Sequence, residues 1–233
     1  MDPADRIEGW LFDLDNTLYP ARCNLFAQVD QRINAFVRDF YGVGAEPARE
    51  IQKRLFLQHG STLRGLMVLH DLDPGEYLDF VHDIDYSPVP AETALDLALG
   101  RLEGRKFVFT AGSTRHAEAV LARLGVARHF EAIHDIAAAA YLPKPDMRAY
   151  RGALLRFGLE PSTTAMVEDL ARNLAPAHEL GMTTVWVPGH PDWRQIDRGD
   201  LPEHVHHVAE DLPSWLATAA PALKPRRGAE ASA

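Results

Sequence analysis

The stretch Trp10-Leu11-Phe12-Asp13-Leu14-Asp15-Asn16-Thr17-Leu18-Tyr19-Pro20 sets an apolar run directly against two carboxylates spaced i, i+2, followed by turn-forming polar residues. The apolar run reads as a strand, and alternate residues of a strand share a face. Asp13 and Asp15 are therefore expected to point the same way at the strand's carboxyl end, with Asn16 and Thr17 letting the chain turn sharply. Two like charges so close repel, and the pair asks for a metal ion or a positive side chain. Taken alone, the segment also reads as an acidic surface turn that closes an edge strand.

Three later segments bear on which reading holds. Lys106-Phe107-Val108-Phe109-Thr110-Ala111-Gly112-Ser113-Thr114 is a second apolar run that ends in a hydroxyl and small residues. A helical spacing through Ala117, Val120, Leu121 and Leu124 follows it. The Thr110 hydroxyl and the backbone amides at that helix start form a candidate anion site, and Ser113 or Thr114 is a candidate helix cap. In Tyr141-Leu142-Pro143-Lys144-Pro145-Asp146, two prolines stiffen the backbone around one lysine, which on its own would be read as solvated. Ala165-Met166-Val167-Glu168-Asp169-Leu170-Ala171-Arg172-Asn173-Leu174 is a third apolar run ending in acids, where Asp169 is either a helix cap or a site residue. In an open sheet the carboxyl ends of strands lie side by side, so such distant residues converge there.

Strand patterns near residues 9–14, 106–110, 131–135, 164–168 and 183–187, with helical stretches between the later ones, predict an α/β fold. Its sheet is parallel and doubly wound, with helices on both faces. The interval 21–103 is too long for a loop, and its apolar spacing is helical: Leu25, Val29, Ile33, Phe36, Val37 and Phe40 form one stripe. It is expected to be an inserted α-helical domain. Residues 1–20 and 104–220 would then make the α/β core, and the Ala- and Pro-rich residues 221–233 a frayed tail.

Taken in order, Asp13-Leu14-Asp15-Asn16-Thr17, Thr110, Lys144 and Glu168-Asp169 with Asn173 resemble the motifs of the haloacid dehalogenase superfamily of phosphotransferases, over about residues 10–188. The resemblance implies a Rossmann-like core with a helical cap over the active site. It implies Asp13 as a nucleophile that forms an aspartyl-phosphate, and Asp15 as the general acid and then base. Mg2+ would be held by Asp13, the Asp15 carbonyl and Asp169. Thr110 and Lys144 would bind the phosphoryl oxygens, with Ala111 and Gly112 beside them. Two motifs depart from the common pattern. Ala111 stands where relatives often carry asparagine, which removes a side chain but keeps the amide; in the last motif the pair is Glu168-Asp169 in place of two aspartates, and Asn173 stands where many relatives carry a further acid, so Glu168 and Asn173 depart together. These two are read as groups that orient waters and ligands around the metal.

His59-Gly60-Ser61-Thr62-Leu63-Arg64-Gly65-Leu66 and Val81-His82-Asp83-Ile84-Asp85-Tyr86 within the insert, together with Asp15-Asn16-Thr17-Leu18-Tyr19-Pro20 and Asn173-Leu174 leading to Ala177-His178-Glu179-Leu180-Gly181-Met182-Thr183-Thr184-Val185, are similar to segments of the pyrimidine 5'-nucleotidase subgroup. That similarity implies hydrolysis of a nucleoside 5'-monophosphate, UMP or CMP, with Thr62 and Arg64 as candidate substrate contacts. A helix cap and a surface salt bridge are the plainer readings of those two residues. Alternatives are a phosphatase or mutase acting on a phosphosugar or phosphoglycolate, a haloacid dehalogenase, and a non-catalytic binding module. Asp15 speaks against the dehalogenase, since relatives with that activity lack the second aspartate.

The chain has 233 residues and a formal net charge of -9, which argues against binding nucleic acid polymers while leaving small phosphate esters compatible. No segment reads as a membrane span or an export signal. The single cysteine, Cys23, is a packing or helix-start residue, and a reducing cytoplasm is the expected setting. His204, His206 and His207 cluster enough to suggest a metal, but lie in a polar stretch past the last predicted strand and are read as a solvated loop.

Overall fold

The computed structural model describes residues 7–188, 201–218, 220 and 223. Among the described residues six strands form one sheet: β1 (Gly9–Phe12), β2 (Arg105–Phe109), β3 (Ala132–His134), β4 (Thr164–Glu168), β5 (Thr183–Trp186) and β6 (His207–Val208). Every pairing is parallel and the order is β3-β2-β1-β4-β5-β6, which puts β1 in the middle. A central parallel strand is covered on both faces and so reads as continuously apolar, as Trp10-Leu11-Phe12 does.

The pleat divides those side chains between two cores. Trp10, Phe12, Val108 and Val167 face one side, packed with α5 (Thr93–Arg101), α6 (Thr114–Leu124) and α9 (Leu212–Thr218). Leu11, Phe107, Phe109 and Met166 face the other, packed with α7 (Met147–Phe157) and α8 (Ala171–Glu179). Phe12 is fully buried, and truncating it to alanine is expected to cost about 3–5 kcal/mol.

Between β1 and β2 the chain forms α1 (Leu25–Tyr41), α2 (Ala45–His59), α3 (Thr62–His70) and α4 (Pro74–Val81) before α5. The first four carry their own core of Phe36, Leu55, Leu63, Leu66, Tyr77 and Val81. The sequence expectation grouped residues 93–103 with this helical insert. Instead Leu95, Ala98, Leu99 and Leu102 join the first of the two cores on the sheet, because the apolar stripe of α5 packs with α9 and not with the core of the first four helices.

The triple-histidine segment also departs from expectation. His207 opens β6, the His206 ring nitrogen Nδ1 accepts from the Thr184 amide at 3.0 Å, and His204 Nε2 bonds the Ala171 carbonyl at 2.8 Å. These rings are half-buried fastenings of a short edge strand, neither a solvated loop nor a ligand set. Cys23 ends a short 3-10 turn, Ala21–Cys23, and is partly buried. No helix among the described residues is long and apolar enough to cross a membrane. Apart from Leu223, the stretch read as a tail lies outside the described residues.

Candidate active site

Register brings the acids together. Phe12 pairs with Val108 on one side and Val167 on the other, so one residue further along β1 the chain presents Asp13 beside the ends of β2 and β4. The Asp13 amide continues the ladder by donating to the Val167 carbonyl at 2.9 Å. Lys144, from the loop after β3, enters between the acids. Its ammonium donates to Asp13 Oδ1 at 2.6 Å, to Glu168 Oε2 at 2.6 Å and to the Phe109 carbonyl at 3.2 Å. All three of its protons are therefore taken within the protein. Thr17 donates its hydroxyl to Asp13 Oδ2 at 2.9 Å.

Asp169 completes the group: ligand oxygens of Asp13, Glu168 and Asp169 lie within 4.8 Å of one another, and all three residues are buried. Three carboxylates thus face one ammonium. Burial, then the facing Glu168, push Asp13 up to about 7 against the opposing pull of Lys144. Burial and the charges of Glu168 and Asp13 likewise hold Asp169 well above the usual carboxylate range. A cluster of hard oxygen donors with excess negative charge suits a hard divalent cation. Asp169 does not cap α8. The residue in that position is Leu170, whose amide donates to Glu168 Oε1 at 3.3 Å, so the Asp169 carboxylate is not spent on the helix.

Asp15 is placed by a turn and not by the pleat, because β1 ends at Phe12. Asn16, at φ 61°, takes the left-handed conformation that asparagine tolerates. Each aspartate consequently has its own partner. Tyr19 donates to Asp15 Oδ1 at 2.6 Å, and His116 Nε2 meets the same oxygen at 2.8 Å. Burial would raise the Asp15 carboxyl, but the charge and hydrogen bond of His116, with the Tyr19 hydroxyl, lower it to about 2. Sequence reasoning missed His116 and Tyr19. A histidine on the buried face of a helix's first turn looks like a core residue, and the i, i+4 spacing of Asp15 and Tyr19 was the one signal available.

Thr110 lies under the site floor, 1% exposed, and its Oγ1 accepts the Gly112 amide at 2.9 Å, leaving its own proton to donate. The start of α6 is largely satisfied internally. Ser113 caps it by accepting the His116 amide, and the Thr114 amide donates to Asp135 at 3.0 Å. The expected row of free amides thus shortens, because neighbouring side chains take these donors first.

Above the acids opens a cavity of about 690 Å³. Asp13, Asp15, Ala111, Gly112, Lys144 and Asn173 line it from the sheet side, and Ile33, Gln52, Phe56, Thr62, Tyr77 and Val81 from the helices. Asn173 Oδ1 is buried without a hydrogen-bond partner among the described residues. Thr62 lines the cavity, but the cap of α3 is Ser61, which accepts the Arg64 amide. Arg64 is not in the cavity wall: its guanidinium donates to the Tyr141 carbonyl at 3.2 Å, fastening α3 to the loop that carries Lys144.

The family model for haloacid dehalogenase-like hydrolases matches residues 7–181, which span the acids, Thr110 and Lys144. The chain belongs to the haloacid dehalogenase-like hydrolase family. This hydrolase is 25% identical over 198 residues to phosphate metabolism protein 8 of Saccharomyces cerevisiae, with 78% of this chain and 61% of that protein covered. The chain thus spans about three fifths of the yeast relative. It is 26% identical over 205 residues to the glyceraldehyde 3-phosphate phosphatase of Methanocaldococcus jannaschii, with 77% and 84% covered. Among solved structures, CbbY from Rhodobacter sphaeroides in complex with phosphate aligns at a TM-score of 0.61 and 19% identity, over 90% of this chain and 96% of that one. A 2-haloacid dehalogenase from Pseudomonas syringae shares the fold as well, at a TM-score of 0.54 and 22% identity, over 91% and 98%. At such identities the structural likeness speaks to the fold alone.

Proposed function

We propose that this hydrolase is a magnesium-dependent phosphatase that works through an aspartyl-phosphate on Asp13, with pyrimidine nucleoside 5'-monophosphates as its substrates. The observation that carries the phosphatase reading is the meeting of Asp13, Lys144, Glu168 and Asp169 at the floor of a cavity that also exposes Asp15.

In this reading a carboxylate oxygen of Asp13 attacks phosphorus and the ester oxygen leaves, taking a proton from Asp15. Water then attacks the phosphoryl group on Asp13, gives its proton to Asp15 and restores the free carboxylate. Asp13, Asp169 and the Asp15 carbonyl would hold magnesium, which when bound neutralises charge on the transferring group. With its three protons already engaged, Lys144 acts chiefly by offsetting the acids and opposing the protonation of Asp13 that burial and Glu168 favour. The free proton of Thr110 and the amide of Ala111 are the donors available to phosphoryl oxygens. Asp15 is ionised in the ligand-free protein, and a dianionic ester beside it favours uptake of the proton it must deliver.

The leaving group would lie against the helices. Gln52, buried in the cavity wall with Oε1 lacking a hydrogen-bond partner among the described residues, suits a leaving group that carries an N–H or O–H donor. The choice of pyrimidine nucleotides rests on the similarity of residues 59–66 and 81–86 to that subgroup. A phosphosugar or triose phosphate is the second reading, favoured by the similarity to the archaeal glyceraldehyde 3-phosphate phosphatase. Phosphate release from UMP, CMP, AMP, GMP and a panel of phosphosugars, with magnesium or with chelator, tests both. Preference for UMP and CMP in kcat/KM supports the nucleotidase. Preference for sugar phosphates leaves the phosphatase standing and replaces its substrate.

A further inference from the structure

Asp15 is not the end of its hydrogen-bond chain. His116, fully buried in the first turn of α6, meets Asp15 Oδ1 through Nε2, and its other ring nitrogen, Nδ1, lies 3.1 Å from the Tyr86 hydroxyl. That hydroxyl also donates to the His82 carbonyl at 3.0 Å. The His82 ring stacks on the His116 ring, centroids 4.5 Å apart and planes 18° from parallel, and its Nδ1 bonds Ser113 Oγ at 3.0 Å. Ser113 in turn accepts the His116 amide. The imidazole of His116 is thus fixed at both nitrogens, on one face and at its own backbone. A Cβ added to Gly112 would stand 3.0 Å from the His116 ring, so even the residue beneath it is matched to its position.

We infer that His116 is the positioning residue of the proposed general acid, held in place by Tyr86 and His82 where the chain returns from the helical layer to the sheet. Asp15 sits on a turn, where nothing in the backbone fixes the rotation of its carboxylate. Both of its side-chain donors, Tyr19 and His116, converge on Oδ1. That fixes the carboxylate plane and leaves Oδ2 as the oxygen that carries the proton to the ester. A misplaced acid costs most where the leaving group needs its proton, and misplacement by about 1 Å can cost on the order of 100-fold. His82 ends α4 and Tyr86 lies just beyond it, so the acid is referred to the helical layer as well as to the sheet.

The inference rests on the phosphatase reading, and its test separates the two. Wild type, His116→Ala, His116→Gln and Tyr86→Phe are compared by kcat/KM on two esters with magnesium present. One is p-nitrophenyl phosphate, which leaves without a proton; the other is the alkyl ester that wild type hydrolyses best, UMP on the reading above. kcat/KM reports the step in which the leaving group departs, before water enters. His116→Ala is expected to lose about 10- to 100-fold on the alkyl ester and no more than about 3-fold on the aryl ester. His116→Gln, whose amide N–H reaches the place of Nε2, is expected to recover most of that loss, and Tyr86→Phe to show a smaller loss of the same selectivity. Equal losses on both esters, or a folded His116→Ala enzyme with unchanged selectivity, would overturn the positioning role. If His116→Ala does not fold, Tyr86→Phe decides in its place, and an unselective result there overturns the role too. Wild type that hydrolyses neither ester overturns the phosphatase reading itself and this inference with it.

Discussion

Replacing Lys144 by methionine removes one ammonium from among three buried carboxylates while keeping much of the side chain's length and apolar stem. Lys144 is 5% exposed, and its partners Asp13 and Glu168 are 8% and 1% exposed, so water can do little to screen what is left. Breaking a buried ion pair from one side costs about 3–5 kcal/mol, because the remaining charges stay buried without compensation. In a chain of this length about 1 kcal/mol moves Tm by roughly 2–4 °C, so the variant should melt roughly 6–20 °C below wild type at pH 8 in chelator. The carboxylates can escape the penalty by taking up protons, and both Asp13 and Asp169 already hold theirs more tightly than usual. The deficit should therefore shrink at pH 5.5, and added magnesium should also reduce it by supplying the missing positive charge. The assay is thermal unfolding followed by circular dichroism, for both proteins, at both pH values, with and without magnesium. A Tm deficit under about 2 °C at pH 8, or one that is the same at pH 5.5, would refute the reasoning.

Asp13→Ala should abolish phosphate release from p-nitrophenyl phosphate while keeping the fold, and unchanged release by a folded variant would remove Asp13 as nucleophile. Asp15→Asn should lose at least about 10-fold more kcat/KM on an alkyl ester than on the aryl ester, since only the former needs the proton; equal losses count against Asp15 as the acid. In metal-free protein Asp13 titrates near 7 in place of 3.8, so its proton stabilises the fold fully below about pH 4, and that stabilisation is lost as pH rises through 7. Magnesium competes with this proton, so the Tm gain from magnesium should grow between pH 5.5 and pH 8, and a gain that falls with pH would contradict the site. Arg64→Ala should slow nucleotide and aryl ester turnover alike, because Arg64 holds the loop that carries Lys144 and does not line the cavity; a loss confined to nucleotides would restore it as a substrate contact.

The α/β architecture was legible because three apolar runs end in polar residues at the point where a parallel sheet exposes its strand ends. The gathering of Asp13, Glu168 and Asp169 follows from that topology, which the spacing already implied, whereas Lys144, on a loop, read alone as solvated and was placed with them only through the family resemblance. What stayed hidden depends on which surface an element meets. The apolar stripe of α5 looks the same whichever core it joins, so residues 93–103 were grouped with the first four helices and not with α9. β6 has two residues, too few for any alternation to register, and the three histidines around it read as loop. His116 escaped notice because burial of a lone histidine carries no sign of its partner, 101 residues away in sequence. Arg64 was read for its charge, whereas the structure uses its reach to a backbone carbonyl.

The core of the first four helices, built on Phe36, Leu55, Leu63, Leu66, Tyr77 and Val81, shares no buried member with the two cores on the sheet. Substitutions that reshape the cavity roof, at Gln52 for instance, whose side chain bonds Asp30 within the helical layer, are therefore absorbed locally, without disturbing the packing that aligns the acids. Such a division lets a lineage change its diet while keeping its chemistry. The exception is Tyr141, which packs into the helical core from the loop of Lys144, at a φ of 57° that few side chains accept. Among the described members of the helical core, this one comes from the other half of the chain, so drift there is constrained from two directions at once.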